Sequence, residues 1–214
     1  MGRELVTWLA GSARFRAFAE VHRDKIRKKL RVAADPEALK DVRAELQAAR
    51  LLLADRRFEL AFEAYGSGKV GPDFTITYRG TTTFNLEVTR LRRVPDATRF
   101  GESLLAKLRQ LPPNLPNVLV VAIGGDTAEA LDVAVTTHGL RASADAKDEA
   151  FFARRGFEGP REFYERYLRL AAVIVWCEGA TGDARAAMWR NASARISLPE
   201  RASRSCVEGL RGDP

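Results

Sequence analysis

Two acidic residues, fourteen positions apart, lie in neighbouring segments of alternating sequence. Asp73 begins the segment 73–78 and Glu87 lies within the segment 84–91; in both, every second residue is apolar. This period is typical of strands with one face in the core, and a tight turn between the segments predicts a hairpin that places Asp73 opposite Glu87 or Val88. Carboxylates at this separation destabilise a sheet unless a divalent metal, a neighbouring arginine or solvent compensates their repulsion.

A third carboxylate, Glu45, falls on an apolar stripe at helical spacing. The helix is expected to begin at Asp35-Pro36, because aspartate is a favoured N-cap and proline is tolerated at the first helical position. Its periodic pattern extends to about Asp55. Burying an unpaired carboxylate is costly, so Glu45 requires a partner, for which an arginine is the ordinary choice.

These residues resemble the PD-(D/E)xK nuclease superfamily, whose members have a restriction-endonuclease-like fold. The resemblance depends on Gly71-Pro72-Asp73, on Glu87-Val88-Thr89 and on Glu45 in the preceding helix. The expected order of elements is similar too: a helix carrying a glutamate, a three-strand meander, a helix and a further strand, over residues 44–123. The resemblance implies an α/β fold with a mixed central sheet flanked by helices.

The resemblance also implies a role for each residue. Asp73, Glu87 and the Val88 carbonyl would ligate Mg²⁺ or Mn²⁺, and Glu45 would hold a water bound to that metal. The implied activity is metal-dependent hydrolysis of phosphodiester bonds in nucleic acid, with DNA as the expected substrate.

The chain departs from the family pattern where Thr89 replaces the motif lysine. That lysine orients the attacking water and offsets negative charge at the phosphate, whereas a threonine hydroxyl supplies no charge. Three residues are candidates for its role: Lys69 in a glycine-rich loop, Lys107 on the following helix and Gln110 one turn later. The alternative interpretation is that Lys69 is a solvated loop residue and Lys107 a helix-surface residue, neither with a catalytic role. A fold that has lost catalysis and binds nucleic acid or a protein is the competing interpretation.

The net charge of +7 is concentrated at the start of the sequence. Residues 1–32 hold nine lysines and arginines and three acids, a balance of +6, which leaves +1 for the rest. Residues 12–32 have helical periodicity with a basic face, which favours a polyanionic partner, although a solvated helix has the same pattern; homodimerisation is another use of such an arm. The candidate nucleic-acid contacts are Arg23, Lys25, Arg27, Lys28, Lys29, Arg31, Arg90, Arg92 and Arg93.

The chain is expected to form one α/β domain preceded by this basic helical arm. The predicted organisation is an arm at 1–33, the domain at 34–200 and a poorly ordered Ser/Arg/Gly-rich tail at 201–214. The further elements predicted are helices at 101–111 and 145–170 and buried strands at 118–123 and 171–176.

Several classes of protein are disfavoured by composition. No apolar run is long enough to span a bilayer and the first residues lack a secretion signal, so we expect a cytoplasmic protein without a membrane partner. Two cysteines and two histidines do not provide a disulfide framework or a pattern typical of zinc ligands.

Overall fold

A computed structural model of the 214-residue chain describes residues 1–65, 71–92, 97–124, 131–178 and 184–212. Two candidate site residues, Lys69 and Arg93, lie outside these ranges. Within the described residues, no helix is both long enough and apolar enough to cross a membrane.

One mixed sheet, six-stranded in the described part of the chain, forms the centre of the fold. The strands, in spatial and chain order, are β1 (Phe58–Phe62), β2 (Phe74–Tyr78), β3 (Thr82–Leu91), β4 (Asn117–Gly124), β5 (Leu170–Glu178) and β6 (Ala184–Arg190). β1, β2 and β3 form an antiparallel meander, β3, β4 and β5 are parallel, and β6 returns antiparallel to β5. The expectation of an α/β fold with a mixed sheet is confirmed.

Helices cover both faces of this sheet. They are α1 (Gly2–Gly11), α2 (Ala13–Val21), α3 (Arg23–Val32), α4 (Pro36–Ala54), α5 (Ala97–Leu108), α6 (Val133–Asp145), α7 (Glu149–Ala153), α8 (Pro160–Tyr167) and α9 (Glu200–Arg211). α1 to α4 and α9 contribute to one apolar core, and α5 to α8 contribute to a second core on the opposite face. Alternating residues of the central strands divide between the two, as period-2 side-chain direction requires.

α4 forms where its sequence signals predict it. The Asp35 side chain accepts a hydrogen bond from the Ala38 N–H at 2.8 Å, and Pro36 occupies the first turn. The apolar stripe of α4 is buried against the sheet, and Glu45 is buried with it. The predicted course of this helix is therefore confirmed.

The N-terminal arm is part of the core. The single helix expected at 12–32 is instead α2 and α3, which meet at His22, and Ser12 caps α2 by accepting from the Phe15 N–H at 3.2 Å. Phe15, Phe18 and Ile26 are buried in the core shared by α4 and the sheet. The apolar face at helical spacing therefore has a partner within the chain, and residue 33 does not divide an arm from a separate domain.

The predicted disorder after residue 200 is wrong, because α9 occupies 200–211. Ala202, Cys206 and Leu210, four residues apart, are fully buried in the core that α4 lines. These residues form a narrow apolar stripe at helical spacing, so the helix is amphipathic. The Ser/Arg-rich composition of the segment led to the wrong prediction.

Other boundaries also differ from the sequence expectations. The helix expected at 101–111 is α5 and begins at Ala97, and the segment expected to be helical at 145–170 contains α7 and α8, with α6 before them. β6 has no counterpart among the predicted elements. Its alternation is weak, since the strand is rich in alanine and carries arginine at two positions.

Candidate active site

The register of β2 and β3 brings Asp73 and Glu87 together. Phe74 is paired with Leu86, so the preceding Asp73 lies beside Glu87. The Asp73 N–H donates to Glu87 Oε2 at 3.1 Å, and the Val88 N–H donates to Asp73 Oδ2 at 2.9 Å. The predicted approach of the two carboxylates is therefore confirmed, and backbone N–H groups hold one oxygen of each.

The second oxygen of each carboxylate contacts a lysine. Asp73 Oδ1 accepts a hydrogen bond from Lys29 Nζ at 3.0 Å, and Glu87 Oε1 accepts one from Lys107 Nζ. Lys29 comes from α3 and Lys107 from α5, on opposite faces of the sheet. β1 ends and β2 begins at this point, so side chains from both helical layers reach neighbouring carboxylates of one cluster.

Glu45 completes the cluster from α4. Its Oε2 accepts a hydrogen bond from Lys29 Nζ, so one ammonium group bridges Glu45 and Asp73. Glu45, Asp73 and Glu87 are 7%, 8% and 4% exposed, respectively. The partner predicted for Glu45 was an arginine; the partner found is Lys29, a residue expected to bind nucleic acid.

A cavity of about 280 Å³ opens onto this cluster. Its lining side chains are predominantly charged or polar: Lys29, Glu45, Glu63, Tyr65, Asp73, Glu87, Lys107 and Gln110, together with Gly71 and Pro72. The cavity lies where β1 ends and β2 begins. It gives a polar ligand access to the three buried carboxylates.

The backbone is strained at the wall of this cavity. Glu63 has φ +45°, a left-handed conformation that is unfavourable for a residue with a Cβ. Its N–H donates to the Asp73 carbonyl at 2.8 Å, and its own carbonyl accepts from Lys25 Nζ at 2.9 Å. These two bonds stabilise the unusual conformation, which turns the chain away from β1 beside the cluster.

The electrostatics of the cluster follow from burial and like charge. Burial and the neighbouring Asp73 raise the pKa of Glu45 to about 8 and that of Glu87 to about 7. Burial opposes charge on Lys29 and Lys107, yet the adjacent carboxylates, Asp73 for Lys29 and Glu87 for Lys107, raise the pKa of both ammonium groups overall. Among the described residues, three buried carboxyl groups face two ammonium groups, so the cluster has one carboxyl group in excess, which favours a retained proton.

The donor set suits a hard divalent cation. Carboxylate and carbonyl oxygens are the ligands that Mg²⁺ and Mn²⁺ prefer. The Val88 carbonyl points to the same edge of β3 as the Val88 N–H, which is bonded to Asp73, because both groups of a strand residue face the same neighbour. As the described side chains stand, no group of three or more His, Cys, Asp or Glu residues is arranged to hold an ion. Lysine ammonium groups contact the carboxylate oxygens instead.

The candidates for the missing motif lysine have different positions. Lys107 and Gln110 both line the cavity, as proposed from the sequence. Thr89 is half-buried on β3, paired with Val121 of β4, and it is not among the cavity-lining residues. Lys69 lies outside the described residues.

The basic residues of the arm divide into two groups. Lys25 and Lys29 turn inward: Lys25 Nζ donates to the carbonyls of Phe62 and Glu63 at 2.8 and 2.9 Å, and Lys29 contacts the cluster. The carbonyl and carboxylate oxygens at the end of β1 and beside β2 attract both ammonium groups, which argues against free phosphate contacts at Lys25 and Lys29. Of the arm residues proposed to contact nucleic acid, Arg23, Arg27, Lys28 and Arg31 are exposed.

The arginines at the end of β3 are also paired with acids. Arg90 donates to Asp41 at 3.0 Å and to Glu37, and Arg92 donates to Asp41 at 2.6 Å. Both therefore join β3 to the first turns of α4. The ion pairs argue against free phosphate contacts at Arg90 and Arg92, and Arg93 lies outside the described residues.

A buried amide pair supports the face of β3 that carries Glu87. Asn85 is fully buried, and its Nδ2 donates to Asn117 Oδ1 on β4 at 3.0 Å. Asn85 Oδ1 accepts from the Thr75 hydroxyl at 3.2 Å and the Tyr65 hydroxyl at 3.4 Å. The sequence placed Asn85 on the same strand face as Glu87, but the partner on β4 is a long-range contact that no local pattern indicates.

A small residue is required beside the Pro72-Asp73 motif. A Cβ added at Gly71 would lie 2.9 Å from the Tyr65 Cβ, closer than packed side chains approach. Gly71 therefore lets Tyr65, which lines the cavity, pack against the motif and donate a hydrogen bond to Asn85.

This chain matches no protein-family model, no curated protein and no solved structure. The chemistry of the site is inferred from its side chains, their contacts and their charges.

Proposed function

We propose that this protein is a metal-dependent nuclease of the PD-(D/E)xK type, with a restriction-endonuclease-like core. The observation that carries the proposal is the convergence of Glu45, Asp73, Glu87 and Lys107 on one polar cavity. These residues come from α4, from the start of β2, from β3 and from α5, in the order expected of that core. A purely structural ion-pair network would not require a cavity at its centre.

The residues have distinct tasks in this proposal. Asp73, Glu87 and the Val88 carbonyl would hold Mg²⁺ or Mn²⁺, which when bound lowers the pKa of water and stabilises negative charge on phosphoryl oxygens. Glu45 accepts a hydrogen bond from a water in the cavity and orients it toward the phosphorus atom. Gln110, on the wall of the cavity, donates to or accepts from the same water.

Lys107 takes the role that Thr89 cannot fill. Its ammonium group already contacts Glu87 and is held at the cavity by α5, so its positive charge is available at the site. A cation there offsets the charge that develops on a pentacoordinate phosphoryl group. Thr89 supplies neither the charge nor access to the cavity.

The proposed substrate is nucleic acid, with DNA expected from the resemblance to the nuclease family. α3 brings Lys29 to the cavity and exposes Arg27, Lys28 and Arg31, so a basic surface adjoins the carboxylate site. Cations in such a position bind the sugar-phosphate backbone without reading sequence. This juxtaposition supports the proposal of a nucleic-acid partner.

Asp73→Asn and Glu87→Gln test the catalytic proposal. We expect the wild-type protein to nick supercoiled plasmid with Mg²⁺ or Mn²⁺ but not with EDTA, and each variant to lose at least about 100-fold in rate because a metal ligand is neutralised. Glu59→Gln is the matched control, since Glu59 is an exposed carboxylate on β1. Folding of all variants is checked by circular dichroism, and cleavage by folded Asp73→Asn at the wild-type rate would refute the proposal.

A second candidate function is binding of nucleic acid without cleavage. It is favoured by one observation: Lys29 and Lys107 contact all three carboxylates, so the cluster is stabilised without a metal. This function predicts salt-sensitive DNA binding in EDTA and no cleavage with any divalent ion. Divalent-dependent cleavage that requires Asp73 would exclude it.

A further inference from the structure

Lys29 lies among the oxygens that a metal would need. Its Nζ contacts Glu45 Oε2 and Asp73 Oδ1, the second at 3.0 Å. The remaining oxygen of Asp73 is bonded to the Val88 N–H. A cation approaching this pair from the cavity therefore meets an ammonium group already on Asp73 Oδ1 and Glu45 Oε2.

The position of this ammonium is determined by the packing of α3. Ile26 is buried in the core, and Lys25 donates to the carbonyls of Phe62 and Glu63 at the end of β1. The Lys29 ammonium also lies 5.2 Å from the centroid of the Phe62 ring. The side chain is thus directed into the site by the contacts of Lys25 and Ile26, one turn earlier on α3, and by the Phe62 ring.

A second acceptor lies next to the first. Glu63 Oε1 is 3.8 Å from Lys29 Nζ, and the Glu63 side chain is 30% exposed. The lysine side chain has a flexible stem of four carbons, and the bonds between them can rotate. A small rotation transfers the ammonium from Asp73 and Glu45 to Glu63 without moving α3.

We propose that Lys29 is a built-in competitor of the metal: its ammonium group binds the Asp73 oxygen that a divalent ion would need and the Glu45 oxygen that would hold a metal-bound water, and metal binding moves Lys29 toward Glu63. This inference rests on the metal site of the proposed function. Without metal, Lys29 compensates the buried carboxylates and holds α3 in place. With metal bound, the divalent ion brings two positive charges where Lys29 brought one. The displaced ammonium group of Lys29 then pairs with Glu63.

Lys29→Met and Lys28→Met form a matched pair for the test. Both remove one positive charge from α3, but Lys28 is exposed, and methionine retains much of the aliphatic stem that packs near Phe62. Mn²⁺ affinity is measured by isothermal titration calorimetry at low ionic strength. We expect Lys29→Met to bind Mn²⁺ at least about 10-fold more tightly than wild type, and Lys28→Met to change the affinity by less than about 3-fold.

Lys29→Arg provides a second measurement in a variant that retains the charge. Its guanidinium also binds carboxylates, so its Mn²⁺ affinity is expected at or below that of wild type. If Lys29→Met does not fold, Lys29→Gln replaces it with the same expectation. The proposal would be overturned by equal Mn²⁺ affinity of Lys29→Met and Lys28→Met, or by weaker Mn²⁺ binding of Lys29→Met than of wild type. Absence of Mn²⁺ binding by every variant would overturn it as well.

The outcomes separate this competition from the nuclease activity. Tighter Mn²⁺ binding by Lys29→Met without cleavage of DNA by any variant supports competition and refutes the nuclease. Cleavage that depends on Asp73, together with equal Mn²⁺ affinity of the Lys29 and Lys28 variants, refutes competition and leaves the nuclease supported.

Discussion

At the scale of single residues, the site depends on an imbalance of charge. Glu45, Asp73 and Glu87 are buried together, and only Lys29 and Lys107 contact them as cations among the described residues. Burial raises the pKa of Glu45 and Glu87, because removing a carboxylate from water costs more free energy than its attraction to the neighbouring ammonium group recovers. A fold without use for this arrangement would be as stable with apolar residues at these positions.

Lys107 is predicted to contribute to the rate of cleavage and not to be required for metal binding. Lys107→Met removes the charge that offsets the phosphoryl group, so we expect the DNA cleavage rate to fall at least about 100-fold. The same change removes a cation from Glu87, so Mn²⁺ affinity should be unchanged or higher. Single-turnover cleavage and calorimetry measure the two quantities, and Lys107→Arg should recover part of the rate. Weaker Mn²⁺ binding with an unchanged cleavage rate would assign Lys107 a structural role.

At the scale of elements, strong periodicity was a reliable guide and composition was not. α4 and the β2–β3 hairpin were predicted because a cap, a turn and clean alternation occur together in short stretches of sequence. α9 and the packing of the N-terminal arm were not predicted, because polar residues dominate the composition of both segments. The core that covers their apolar stripes is formed by residues distant in sequence. β6 was missed because alanine and arginine give little alternation.

Leu210→Ala tests whether α9 is an integral part of the core. Leu210 is fully buried, so removing its side chain should lower the free energy of unfolding by about 2–5 kcal/mol through lost burial and the cavity that remains. Arg204→Ala, at an exposed position of the same helix, should change it by no more than about 0.5 kcal/mol. Chemical denaturation monitored by circular dichroism measures both. Equal stability of the two variants would mean that α9 does not contribute to the core in solution.

At the scale of the whole molecule, the basic charge is divided between structure and surface. The +6 of residues 1–32 suggested one nucleic-acid-binding arm. Lys25 and Lys29 are instead used to join α3 to β1 and to the carboxylate cluster, while Arg27, Lys28 and Arg31 remain at the surface. The same helix therefore connects the basic surface to the cavity.

The exposed part of α3 is predicted to set the salt dependence of DNA binding. Neutralising Arg27, Lys28 and Arg31 together to glutamine should reduce the slope of log affinity against log salt by up to about 3, since each phosphate contact contributes about 0.9. Fluorescence anisotropy with a DNA duplex, in EDTA and at several salt concentrations, measures the slope.

The matched control for this triple variant changes Lys147, Arg154 and Arg161 to glutamine. These residues are exposed near α7 and α8, on the other face of the sheet. The control should retain the wild-type slope, because its charges lie away from the α3 surface. An equal reduction in both triple variants would mean that DNA responds to net charge alone and that α3 is not its binding surface.

The α/β class, α4 and the hairpin that joins Asp73 to Glu87 could be predicted from the sequence, because each depends on residues close together in the chain. The cations that accompany the carboxylates are evident only in the folded chain: Lys29 is 16 residues from Glu45 and 44 from Asp73, and Lys107 is 20 from Glu87. A basic residue on an amphipathic helix has the same local pattern whether it faces solvent or a buried carboxylate. The packing of α3 and α5 against the end of the meander distinguishes the two.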